Sequence, residues 1–312
     1  ELAKESGQYA LCEAVKQGYK VRCEAMDNGI NSSEDISLED VQQMLDDGLI
    51  DLRKYYVDKD TIKINGKFNI VRDGKLVSNQ WFDGASDFYD GYAAVKLNGK
   101  WNYIDTNGNF LSDQWFDDVY NFSDGYAEVK LNGKYNLLKT DGNLLSDQWF
   151  DELDDEWFSY GCIKVRSKGK WNYLSKDGRL LSYRWFDECS RFVNGFGRVK
   201  VVTQQHETIS ETSSDSVMLT KSVDKWNLID TDGNFLSNQW FEDISYMDDT
   251  SGLATVELNG KYNFIDTDGN LLSNQWFDRA EDFYMKDTSR VKLDGKWYTI
   301  DTNGNFSPDK YA

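Results

Sequence analysis

The sequence predicts an all-β repeat array of about seven units, each of roughly 35 residues and three or four short antiparallel strands, behind a small helical segment. Three observations carry this. Aromatic and glycine markers recur at one common spacing from about residue 60 onward. The stretches between them alternate apolar and polar residues. Helical periodicity is confined to residues 1–58.

The markers are of three kinds. Gln-Trp-Phe recurs at Trp81, Trp115, Trp149, Trp240 and Trp276, and Arg-Trp-Phe at Trp185, so successive steps are 34, 34, 36, 55 and 36 residues. Gly-Lys-aromatic ends at Phe68, Trp101, Tyr135, Trp171, Tyr262 and Trp297, with Asp224-Lys225-Trp226 as a variant. An Asp-Gly or Asn-Gly turn falls at Gly74, Gly108, Gly142, Gly178, Gly233, Gly269 and Gly304.

Residues 1–58 form the first element. Tyr9, Cys12, Val15, Tyr19 and Cys23 recur every three or four residues, as on an amphipathic helix. Asn28 to Ser33 breaks it, and Ser37 with Asp40 resembles a capping box. Val41, Met44, Leu45, Leu49 and Leu52 make a second stripe. Two such helices bury too little to stand alone, so they are expected to dock on the repeats or on another chain.

The repeats occupy 59–312. In one unit, Ala127, Val129 and Leu131 share one face of a strand, Asn132-Gly133 makes a two-residue hairpin turn, and Lys134 to Leu138 returns. After Asp141-Gly142, Leu144 to Phe150 reads as a third extended segment, and Val119 to Phe122 as a fourth strand. The array opens with one strand of a unit and ends with the others. Closed rings use that split to let the termini share a blade, and closure removes free sheet edges. A seven-bladed β-propeller is therefore favoured, with an open β-superhelix as the alternative. The long step of 55 marks a hairpin insertion at about 202–223, whose tip, Glu207 to Ser216, is rich in Ser, Thr and acid.

Composition narrows function. Among 312 residues, 54 Asp and Glu oppose 35 Lys and Arg, for a net charge of −19, which argues against nucleic acid and anionic membranes as partners. No apolar run approaches the ~18 residues of a membrane span. One His, His206, leaves little for His-based triads or metal sites. Cys12, Cys23, Cys162 and Cys189 form no Cys-x-x-Cys pair and are expected as buried thiols. The chain opens on Glu1 rather than Met, which predicts a processed product or a domain cut from a longer protein.

The unit from Asp90 to Gly108 resembles the WG-repeat family, also called KWG repeats, and the resemblance runs from about residue 60 to 307. The family pattern has Gly after Trp; this chain has Asn, as at Asn102, Asn172 and Asn227. The resemblance implies a bacterial or phage-type binding or scaffolding module, and it brings no catalytic residues. A weaker likeness to choline-binding cell-wall repeats fails on period, since those repeats are shorter.

Candidate sites follow. Trp81, Trp115, Trp149, Trp185, Trp240 and Trp276, with Trp101, Trp171, Trp226 and Trp297, are expected as packing wedges between units, the other use of such a row being sugar stacking. Asp230 to Asn234 and Asp266 to Asn270 echo the start of a calcium loop but lack its closing Glu, so hairpin turns are expected. Asp117-Asp118, Asp154-Asp155 and Asp248-Asp249 could serve a glycosidase, yet they repeat with the array, whereas catalytic residues usually break symmetry. The parts the repeat does not require are the arm and the helical segment. Partner-binding candidates are therefore Tyr19, Met44, Leu49, His206, Met218 and Leu219. No catalytic, cofactor or metal site is expected. The reading is a non-enzymatic scaffold binding another protein, as a component or processed fragment of a larger bacterial or phage assembly. An extracellular glycan-binding lectin is the alternative, and a glycoside-active enzyme ranks last. Compartment stays open, with cytoplasmic or assembly-associated placement favoured over extracellular.

Overall fold

A computed structural model describes residues 56–154, 157–208, 218–283 and 287–309, without the side chains of 206–208 and 218–219. The two expected helices lie outside the described residues, apart from the last three positions of that segment. Every regular element among the described residues is a β-strand. The chain divides into two compact units, residues 1–149 and 150–312.

The first unit holds three sheets. They are β1 (Thr61–Ile64), β2 (Lys67–Arg72) and β3 (Lys75–Leu76); β4 (Gly84–Ala85), β5 (Tyr92–Leu97) and β6 (Lys100–Asp105); and β7 (Asp118–Val119), β8 (Tyr126–Leu131) and β9 (Lys134–Lys139). The second holds four. They are β10 (Glu152–Leu153), β11 (Cys162–Ser167) and β12 (Lys170–Ser175); β13 (Glu188–Val193), β14 (Phe196–Thr208) and β15 (Met218–Asp230); β16 (Asp243–Ile244), β17 (Leu253–Leu258) and β18 (Lys261–Asp266); and β19 (Arg279–Ala280), β20 (Thr288–Leu293), β21 (Lys296–Asp301) and β22 (Phe306–Pro308).

Each sheet except the one carrying the β14–β15 ribbon centres on a hairpin closed by a two-residue turn. At Asn132-Gly133 both residues have positive φ, 52° and 75°, which Asn and Gly tolerate best. The third strand differs from expectation. Leu144 to Phe150 is not a strand but a loop with isolated bridge residues at Leu144, which pairs with Leu138, and at Phe150. The third strand instead begins at the second residue after Trp-Phe, is two residues long in most repeats, and pairs with the first strand of the next hairpin, as Asp118↔Lys130 and Val119↔Val129. Of the expected fourth strand at Val119 to Phe122, only Val119 is in a strand. A shared first and last blade is also not seen: among the described residues every sheet is built of strands consecutive in sequence, β1–β3 and β19–β22 included. The insertion is one continuous ribbon, β14 and β15 pairing from Phe196↔Asp230 out to Thr208↔Met218.

The loops are pinned by a buried asparagine. Asn263 is fully buried; its amide donates to the carbonyls of Ser273 at 2.7 Å and Gln275 at 3.2 Å, while its Oδ1 accepts the Phe264 N–H at 2.8 Å. Asn69, Asn136, Asn172 and Asn227 do the same in their repeats. Buried backbone acceptors need such partners, because irregular loops offer them no ladder. The clamped loop then delivers its Phe to a two-way backbone bridge, such as Trp101 N–H to Phe116 O and back at 2.8 Å each. Phe82, Phe116, Phe186 and Phe277 are fully buried there, each worth about 1.5–3 kcal/mol of apolar transfer.

The core is a series of clusters between successive sheets. One joins Tyr103 to Phe122, Ala127, Val129 and Leu138, with Trp149 packed against it. Another joins Cys162, Tyr173, Phe186, Cys189 and Ile229, with Trp171 and Trp240 against it. Stability in such an array is mostly a nearest-neighbour sum.

Candidate functional site

In a repeat protein, the positions that hold the scaffold recur and the positions that do not are free to specify a ligand. One strand shows both in adjacent residues. Opposite the asparagine position stand Ile62, Val95, Val129, Val165, Val199, Val256 and Val291, all buried. The residue just before each, on the other face of the strand, is Thr61, Ala94, Glu128, Lys164, Arg198, Thr255 and Arg290. Size and charge are constant in the first column and change at nearly every step in the second.

The varied column opens into a groove of about 740 Å³ in the second unit, within the usual range of ligand sites. It crosses three successive sheets. Arg191, Asn194 and Arg198 come from the first; Asp243, Tyr246, Asp248, Asp249 and Thr255 from the second; Asp282 and Phe283 from the third. Met247, Leu253 and Phe283, all buried, add apolar floor. The segment between Ser245 and Leu253 is two residues longer than its counterpart between Ser86 and Tyr92, and its residues Tyr246 to Asp249 line the groove. Its turn is set by Asp248, whose Oδ1 accepts the Ser251 N–H at 2.8 Å and hydroxyl at 2.9 Å.

Arg198 is the organising side chain. Its guanidinium lies 4.4 Å from the Trp226 ring centroid and 5.2 Å from that of Tyr246. Nη2 donates to Asp243 Oδ1 at 2.8 Å, and Nε is buried with no acceptor among the described residues. Asn194 Nδ2 donates to the Met247 carbonyl at 2.8 Å, joining the first two sheets, and the Thr255 hydroxyl donates to Asp282 at 2.5 Å, joining the second to the third. Two arginines against four aspartates give the groove a formal charge of 2 − 4 = −2.

The sequence candidates fall elsewhere. Tyr19, Met44 and Leu49 lie outside the described residues. His206, Met218 and Leu219 sit on the outer part of the β14–β15 ribbon, their side chains outside the described set. Every Trp of the two rows is half-buried. Trp149 meets Phe116 of the preceding marker at 6.4 Å and Trp240 meets Phe186 at 6.5 Å. The second row carries a cation on a ring face: Lys96 over Trp101, Arg166 over Trp171, Arg198 over Trp226 and Arg290 over Trp297. That occupies a face a sugar would need.

The acidic turns are spent locally. Asp230 Oδ1 accepts the N–H groups of Asp232 and Asn234, and its Oδ2 accepts the Asn234 amide. Asp266 does likewise. Asp117 is held by Lys100 and by the Asn132 N–H, Asp154 by Lys164 at 3.0 Å, and Asp248 and Asp249 line the groove. Burial pushes the Cys162 thiol up to about 11 and the Cys189 thiol higher, which opposes thiolate formation. Sequence reasoning missed Arg191, Arg198 and Tyr246. The signal was present in the charge changes down one register column, which becomes visible only once the strands are aligned.

The family model described as "WG containing repeat" matches residues 72–101, 103–135 and 264–297. These three stretches match the WG repeat. No curated protein matches it. Among solved structures it is similar to Kluyveromyces lactis Hsv2p, with 10% identity over 70% of this chain and 74% of that one, at a TM-score of 0.26. It is also similar to the Neurospora crassa Pan2 WD40 domain, with 11% identity over 78% and 83%, at 0.21. A third is Porphyromonas gingivalis dipeptidyl peptidase 4, with 10% identity over 72% and 46%, at 0.29.

The Asn that follows the Trp in this chain, where the WG pattern has Gly, has a physical reason. Asn102, Asn172 and Asn227 each donate to a loop carbonyl ten residues on, at 2.7 Å. In the last repeat Tyr298 takes the place, and there the loop is replaced by β22, whose Pro308 pairs with Tyr298.

Proposed function

We propose that this WG-repeat chain is a non-enzymatic scaffold that binds another protein through the varied face of its sheets, as a component of a larger assembly. What carries the reading is the contrast between neighbouring register columns: an invariant Val/Ile column in the core and a column on the opposite face running from Thr61 through Glu128 and Arg198 to Arg290. A structural protein with no partner has no use for that variation. In this reading the seven sheets are blades of one β-propeller, and the β14–β15 ribbon is a second contact. Small-angle scattering checks the arrangement: a compact chain of this length has a radius of gyration of about 20 Å, and an open superhelix a larger one.

The functional test is a pull-down from the native host with the whole chain, an R198Q variant and a variant lacking 203–222. A partner retained by the whole chain at moderate salt and lost from either variant supports the proposal. If both variants keep every association of the parent, the binding face has been misplaced.

A further inference from the structure

Resting on the scaffold reading, we propose that the groove between Arg191 and Phe283 takes an extended, basic peptide segment, gripping its backbone with Arg198 and its cationic side chains with Asp249 and Asp282. Three features lead there. The first is shape. The groove crosses three successive sheets rather than sinking into one, which suits a chain lying along it better than a compact ligand.

The second is the condition of Arg198. Two aromatic rings flank the guanidinium, which restrains its donors before any ligand arrives, and among the described residues only Asp243 takes one of them. The side chain is 19% exposed and its Nε lacks an acceptor, an unfavourable state that an incoming carbonyl oxygen relieves. A peptide carbonyl fits better than a carboxylate, because Asp243 already balances the charge and Asp248, Asp249 and Asp282 repel an anion.

The third is charge placement. Asp249 comes from the lengthened loop and Asp282 from the next sheet, so acids lie on two sheets of the groove while both arginines lie on the first. That polarity fixes a direction for the segment, with its basic residues towards Phe283. Apolar contact with Met247, Leu253 and Phe283 adds affinity without dictating sequence.

The experiment is a panning of a random heptapeptide library on the whole chain, followed by anisotropy titration of the most enriched peptide, fluorescein-labelled. Because the chain carries −19 overall, non-specific attraction must be separated from groove binding. Three proteins are compared with the parent: D249N/D282N, D113N/D147N as a charge-matched control on exposed loops of the other unit, and R198Q. Enrichment in Lys and Arg is expected, with at least tenfold weaker binding for D249N/D282N and less than twofold change for the control. R198Q makes the chain more acidic, so diffuse attraction would strengthen; groove binding should weaken at least fivefold. Thermal melts confirm that each variant is folded, and D249N/D282N carries the test if R198Q is not. No enrichment, acidic enrichment, or equal losses from the two Asp pairs overturns the proposal. A host partner that the enriched peptide fails to displace would overturn the groove and leave the scaffold reading standing; no host partner at all would remove the scaffold reading.

Discussion

Gly269 faces the carbonyl oxygen of Leu236, one repeat earlier in the chain, so closely that a Cβ there would lie inside 3.0 Å of it. Gly108 faces Val77, Gly142 faces Leu111, Gly233 faces Leu181 and Gly304 faces Leu272 in the same way. In these five repeats the punctuating glycine is thus a contact between repeats as well as a turn.

Two alanine substitutions separate these roles. Gly99 has a φ of 81° but open space around it, so G99A should cost only the left-handed strain of about 1 kcal/mol. Gly269 has the same φ problem and a backbone clash, so G269A should cost roughly 3 kcal/mol or more. Urea midpoints of the two variants measure the difference; equal values would refute the inter-repeat role.

Replacing a clamping asparagine should be severe. N263A leaves the carbonyls of Ser273 and Gln275 and the Phe264 N–H without their buried partner, an expected loss of roughly 2–4 kcal/mol. N263D, unable to donate while ionised, should be worse at pH 7 and partly recover in acid. Fluorescence of the neighbouring Trp276 reports the loop.

Acid stability has a built-in dependence on three equivalent aspartates. Asp83 is held below its ordinary value of 3.8 first by the Lys67 ammonium and then by the Asn98 N–H of the next hairpin. Asp117, with Lys100 and Asn132, and Asp278, with Lys261 and Gly295, match it. A lowered folded pKa stabilises the fold above 3.8 and loses that contribution as the pH falls through the lowered value. The variant D83N/D117N/D278N should therefore have a lower urea midpoint than the parent at pH 6, and the two should converge in strong acid. An unchanged gap across that range would contradict the linkage.

Cys162 and Cys189, both buried with raised pKa, should resist alkylation at pH 8 in the folded chain and react fully in denaturant. Peptide mapping after iodoacetamide treatment distinguishes them from Cys12 and Cys23. Rapid native labelling of either would indicate an opening in that part of the core.

Local chemistry made the repeat legible. Asn-Gly turns demand positive φ, strands alternate, and both leave marks readable without neighbours, so the hairpin at Tyr126 to Lys139 and the ribbon beyond Val201 follow from residue order. The likeness to the WG repeat was equally visible in Asp90 to Gly108. The third strand was not, because two residues such as Asp118 and Val119 carry no periodicity and become a strand only by pairing with the next hairpin. Nor was the groove, since Arg198, Tyr246 and Asp282 lie far apart in sequence and meet only when three sheets stand side by side. Patterns of period two or of turn geometry belong to a few adjacent residues; a binding surface belongs to packing between repeats, and its position depends on distances no single repeat contains.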